Sequence, residues 1–191
     1  MLKIVLDIFC VFLILISAFS GLRRGFLIAV YNFVSMAIIV LSVLHVYPRF
    51  TDIVKTKIPV LPLGFGDFVS VGILFIGFMM IARLLRELLV FFLVIPEPAG
   101  LEKVIAMLLG MLTGIISASM FMFWLYLSPW DSVISAIEEG RLSKYLYILP
   151  ARSYTFFCDT LIRPYFKGKF VPNHLVYLEN KSARVGGKKK H

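Results

Sequence analysis

From Leu2 to about Leu22 the chain is apolar apart from Lys3, Asp7 and a few small polar residues. At 1.5 Å per residue, a helix of that length just crosses a hydrocarbon core about 30 Å thick. A first membrane span over 2–22 follows. Past the Gly21–Gly25 turn, Phe26 to Tyr47 gives 22 residues without a charge, although Asn32 and His45 lie among them. This predicts a second span over 26–47, closed by Pro48. Arg49 to Asp67 then reads as a loop, carrying Asp52, Lys55, Lys57, Pro59, Pro62, Gly64 and Gly66.

Phe68 to Ala82 is apolar throughout, but Arg83, Arg86 and Glu87 precede a second apolar run, Leu88 to Ile95. As one helix the whole stretch would measure about 42 Å, more than the core requires. The pattern predicts a third span over 68–87 with its charges near one interface, and Leu88–Ile95 as a tilted or surface-lying extension. Pro96 to Gly100 breaks the chain, and Val104 to Leu127 forms a fourth uncharged span over 104–127. Trp124 and Tyr126 near its end suit an interfacial aromatic belt.

After Leu127 the period changes. Ser128-Pro129 reads as a helix start with Pro129 in its first turn, and Trp130, Val133, Ile134 and Ile137 recur at helical spacing. Residues 128–166 are therefore expected to form an amphipathic helical segment, lying on the membrane or capping the bundle. Arg152, Asp159 and Arg163 speak against a fifth span, and 167–191 reads as a disordered basic tail ending Lys188-Lys189-Lys190-His191. The fold class is an all-α membrane protein: a bundle of about four transmembrane helices over 1–127, with a C-terminal amphipathic helix and tail.

Composition agrees with the pattern: 60% of residues are hydrophobic and 16% charged, with a mean hydropathy of +0.91. Charge alters the picture in one respect. The net +9 could suggest nucleic acid, but 11 of the 20 Lys and Arg follow Leu127 and most others flank apolar runs. That distribution fits anionic headgroups, so the lipid bilayer is the expected partner, together with a second copy or other membrane proteins, and nucleic acid is not. No small-residue cleavage site follows the first apolar run, which is read as retained. Cys10 and Cys158 suggest neither a disulfide framework nor a thiol metal site.

Two features within the apolar runs could carry more than anchoring. In the fourth span, Ala106, Gly110, Gly114 and Ala118 recur every four residues and make a shallow groove on one helix face. Such stripes let helix backbones meet where lipid supplies no hydrophobic drive, and packing within the bundle or between copies is favoured over a solute path. Asp7 is the second feature, since a carboxylate at the bilayer centre costs at least about 2.5 kcal/mol. It is an interfacial residue one turn from Lys3, or else a buried partner of Arg83 or Arg86, or a proton-carrying site. Arg83, Arg86 and Glu87 read as an interface anchor with an internal pair, and His45 as a polar interface residue. Nucleophile-elbow, zinc-protease, phosphate-loop and Cys-x-x-Cys motifs are absent. No cofactor, metal or enzymatic activity is expected.

Two blocks carry a resemblance to a known family. Asp7, an apolar run with Ser17, and Arg24-Gly25-Phe26 resemble the opening Asp, hydrophobic helix and Arg-Gly-Phe turn of the bacterial colicin V production protein (CvpA) family. Gly100-Leu101-Glu102-Lys103-Val104-Ile105-Ala106, followed by Gly110 and Gly114, is similar to that family's Gly-Leu-Asp-Arg start to its last span. Glu102, Lys103 and Ala106 stand for Asp, Arg and Gly, Thr113 for a frequent Arg, and Leu27, Ile28 and Ala29 for polar residues. The match covers roughly 1–150.

The resemblance implies a bacterial inner-membrane protein tied to colicin V production or export, discussed also in envelope stress and channel-like behaviour. On it rests the expectation of a non-enzymatic accessory or scaffold factor, with a small oligomeric channel or transporter as the alternative. Basic residues leave orientation nearly balanced, six against five. Relatives fused to an extracytoplasmic serine protease tip the expectation toward extracytoplasmic termini.

Overall fold

The computed structural model describes residues 1–57, 65–92, 100–157 and 160, with Arg24 and Lys55 described by backbone alone. Pro59, Pro62, Gly64, the Pro96 break, Cys158 and the tail 167–191 lie outside these residues. The chain divides into two units, Met1–Pro150 and Ala151–His191.

Among the described residues, every element of the first unit is helical. The four long helices are α1 (Leu2–Arg24), α2 (Phe26–Lys57), α3 (Phe65–Phe92) and α4 (Leu101–Tyr126). All four are long and apolar enough to cross a membrane. Their outward faces are apolar, with Ile8, Phe12, Ile76, Met80 and Leu108 each more than half exposed. Such a surface belongs in lipid, where backbone groups must be satisfied within the helix. The chain is a multi-pass membrane protein. Three short helices follow: α5 (Asp131–Glu139), α6 (Ser143–Leu146) and α7 (Leu149–Phe157). Of the second unit, α7 supplies Ala151–Phe157, where Thr155 Oγ1 donates to the Ala151 carbonyl at 2.9 Å.

The central helix of the first unit is α4, packed most extensively on α1 and then on α2, while α3 lies mainly against α2. Helix α1 runs antiparallel to α4: Gly21 meets Ala106, Ser17 meets Gly110 and Ile14 meets Gly114. A hydrogen bond from the Tyr31 hydroxyl to the Ala82 carbonyl, 2.9 Å, sets α3 antiparallel to α2. The bundle therefore has two ends. One holds the α1–α2 turn, the C-terminus of α3 and the N-terminus of α4. The other holds the N-termini of α1 and α3, the C-termini of α2 and α4, and the cap formed by α5 and α6.

Helix ends differ from the sequence expectation in several places. Pro48 does not close α2, which continues to Lys57, so Arg49–Lys57 is helix rather than loop. The missing proline N–H removes one bond to the preceding turn, but Val43, Leu44, Tyr47 and Thr51 on either side are buried at 5% exposure or less. Their packing holds the helix together across the gap. Helix α3 begins at Phe65 and runs unbroken past Arg86 to Phe92, and 93–95 lie outside the described residues. Pro129 precedes α5, whose N-cap is Trp130, and Gly140 ends α5 before α6 begins at Ser143. Between α1 and α2, Gly25 has φ +86°, a left-handed conformation that admits glycine readily and lets two spans meet without a loop.

Candidate functional site

The most specific polar arrangement in the described residues is built on Asp7. Five residues into α1, it lies about 7.5 Å along the axis from the helix start, within reach of the membrane boundary. Its carboxylate crosses to the cap. Oδ2 accepts from the Arg141 backbone N–H at 2.9 Å, and Oδ1 from those of Leu142 and Ser143 at 3.3 and 3.0 Å. These amides sit at the start of α6, where helix geometry leaves N–H groups without intrahelical acceptors. A carboxylate suits them both as acceptor and by its charge.

The cap is shaped to receive that carboxylate. Gly140 ends α5, and a Cβ placed there would meet Ser143 Oγ and lie 3.0 Å from Asp7 Oδ1. Ser143 is fully buried, and its hydroxyl donates to the Ile137 carbonyl at 3.1 Å. One turn toward the α1 N-terminus, Lys3 pairs with Glu139 at 3.6 Å, with both side chains about half exposed. Below this polar layer Leu6 and Cys10 of α1, Ala118, Met122 and Tyr126 of α4, and Ala136, Ile137 and Leu146 of the cap form one buried cluster. Cap and spans are thus joined by an apolar floor and a three-bonded clasp.

The small-residue ladder lies in the adjoining seam. Ala106, Gly110, Gly114 and Ala118 are all buried. A Cβ at Gly110 would lie 2.6 Å from the Ser17 carbonyl, and one at Gly114 2.8 Å from Ile14 Cα. Helix α1 answers with its own small side chains, Cys10, Ser17, Ala18 and Gly21. That second stripe was legible in the α1 sequence, but its apolar surroundings gave no reason to single it out.

Arg83 is not brought to Asp7. It pairs with Glu87 on its own helix at 3.5 Å, and the two side chains are 74% and 60% exposed. The Tyr31–Ala82 bond places this turn of α3 at the end opposite the cap. Arg86, half-buried, lies there too, as do Arg24, Gly25, Glu102 and Lys103. Glu102 and Lys103 occupy the first turn of α4, and no ion pair joins them among the described residues. His45 is exposed on α2. Thr113, which stands where the family often has Arg, donates its hydroxyl to the Leu109 carbonyl at 2.8 Å.

An aromatic chain near the cap was not foreseen. The Trp124 indole donates to the Phe68 carbonyl at 2.8 Å, and its ring stacks on that of Phe68 at 4.7 Å. Phe121 and Phe9 extend the series toward α1, and Trp130 toward α5. Gly72 makes room, since a Cβ there would lie 2.9 Å from the indole nitrogen. Tyr126, expected in an interfacial belt, is instead buried and stacks on Tyr147 at 4.5 Å. The returning cap covers it.

Comparison with protein-family models matches residues 6–149 to the family described as colicin V production protein. The chain belongs to that family. The matched region opens one residue before Asp7 and closes beyond α6, so it includes both partners of the clasp. No curated protein and no solved structure gave a match. This family is not a known enzyme family, and among the described residues no three His, Cys, Asp or Glu lie close enough to hold a metal ion.

Proposed function

We propose that this member of the colicin V production family is a non-enzymatic scaffold or accessory factor of the bacterial inner membrane, serving toxin export and envelope maintenance. The observation that carries the reading is the use made of Asp7. A carboxylate free to move protons or bind solute would face a lumen, whereas this one accepts three amide hydrogen bonds that fasten a cap to the bundle. The glycine ladder is likewise filled by α1 rather than open to a solute.

The test pairs two measurements. Bacteria lacking their own colicin V production protein receive the wild-type chain or Asp7→Asn at equal membrane abundance, and secreted colicin V is assayed. The wild type should restore secretion and Asp7→Asn should lower it severalfold. Purified protein in liposomes should pass neither ions nor small solutes. Flux through the wild type would establish the channel or transporter alternative, and full secretion with Asp7→Asn would remove the cap from the function. Extracytoplasmic termini belong to the same proposal, supported by the family resemblance to protease-fused relatives. Labelling of Cys158 in intact cells is the expected result, and labelling only after permeabilisation reverses the orientation.

A further inference from the structure

The two ends of the bundle differ in charge. At the cap end, Lys3, Arg49, Lys55, Lys57, Arg141 and Lys144 are matched in number by Asp7, Asp52, Asp67, Asp131, Glu138 and Glu139. At the other end, among the described residues, Arg23, Arg24, Arg83, Arg86 and Lys103 stand against Glu87 and Glu102, and Glu87 is already paired with Arg83.

Helix registers bring these cations to one level. Gly21 opposite Ala106 and Ser17 opposite Gly110 set Arg24 level with Lys103 across the α1–α4 seam. The turn at Gly25 joins α1 directly to α2. Tyr31 against Ala82 then brings Arg86, one turn beyond Ala82, toward the first turn of α2. Arg23 and Lys103 are exposed and Arg86 half-buried, and none has an ion-pair partner among the described residues. Beside and beneath them the surface is apolar: Phe19 is 56% exposed, Leu27 51% and Val104 55%. The Arg23 guanidinium lies 4.5 Å from the Phe19 ring centroid, with charge above and ring below. Basic side chains rising from an apolar wall in this way reach the headgroup layer while their stems stay in lipid.

We propose that this cation ring is a docking surface for anionic phospholipid, with lipid phosphates seated against Arg23, Arg86 and Lys103 and acyl chains along the apolar wall below. Charge complementarity selects the occupant, because cations on three helices without an ion-pair partner among the described residues share one headgroup-deep plane. Each such cation near a membrane surface contributes about a fivefold gain in anionic-lipid preference. The inference goes beyond the scaffold reading and holds for either orientation of the bundle.

The full chain is reconstituted in vesicles containing equal phosphatidylglycerol and phosphatidylcholine, extracted gently, and its retained lipids counted by native mass spectrometry. Wild type should retain phosphatidylglycerol preferentially. The triple variant R23Q/R86Q/K103Q should lose that preference by about fivefold for each cation removed, while R49Q/K57Q/K144Q at the cap end should keep it. Lys103→Gln alone, on an exposed side chain, gives the same reading with a smaller loss should the triple variant fold poorly. Absence of preference in the wild type, retention of it without the ring, or equal loss in the cap-end variant would each overturn the proposal.

Discussion

Asp7 shows how a residue that looks anomalous in a hydropathy pattern acquires a structural reason. Replacing it with Ala leaves three amides at Arg141–Ser143 without their acceptor. Because Arg141 is exposed and water can substitute in part, the expected cost is about 1–2 kcal/mol, read as a lowered unfolding midpoint in detergent. Asp7→Asn keeps one carbonyl acceptor and should lose less. Gly140→Ala should be destabilising by steric conflict with Ser143 and Asp7, and combining it with Asp7→Ala should cost less than the sum, since both changes break one contact. A contrary sign is expected at Ser70, whose hydroxyl is fully buried without a hydrogen-bond partner among the described residues. Ser70→Ala removes a desolvated polar group and should leave stability unchanged or raise it by up to about 1 kcal/mol in the same assay.

At the scale of helices, the ladder on α4 was legible as a groove, but what fills it was not. Four-residue spacing defines a face, and any helix with small side chains could occupy it. Because the occupant is α1, Gly110→Leu or Gly114→Leu should separate two helices of the same chain rather than detach a partner. The expected result is loss of the compact particle on size exclusion, together with a fall in unfolding midpoint. Gly77 on α3 is the internal control, since a Cβ there meets nothing within 4 Å. Gly77→Ala should be tolerated or slightly stabilising by helix propensity. The second element-scale difference is α2: proline chemistry correctly identifies a missing hydrogen bond at Pro48, yet the decision between ending and continuing was made by the buried side chains flanking it. Pro48→Ala restores that donor and should keep the helix content seen by circular dichroism.

Across the whole molecule, burial divides the chain differently from hydropathy. The α1 sequence is apolar on all sides, but only a narrow stripe of it, including Cys10, is inside the protein. In a chain with Cys158→Ser, Cys10 should resist maleimide reagents in the folded state and react as denaturant opens the α1–α4 seam, so its labelling rate follows global unfolding. The number of spans, the glycine turn between the first two and the family resemblance were readable along the chain, because membrane crossing depends on a local property, the length of an apolar run. The assignments for Asp7, Tyr126 and Pro48 depended on segments distant in sequence: the α6 amides, the returning cap and the packing around α2. Hydropathy carries no information about which helix a face will meet, since lipid and protein interior are nearly equally apolar. That choice was made by close backbone approach and by hydrogen bonds that form when the chain folds back on itself, which tertiary structure alone decides.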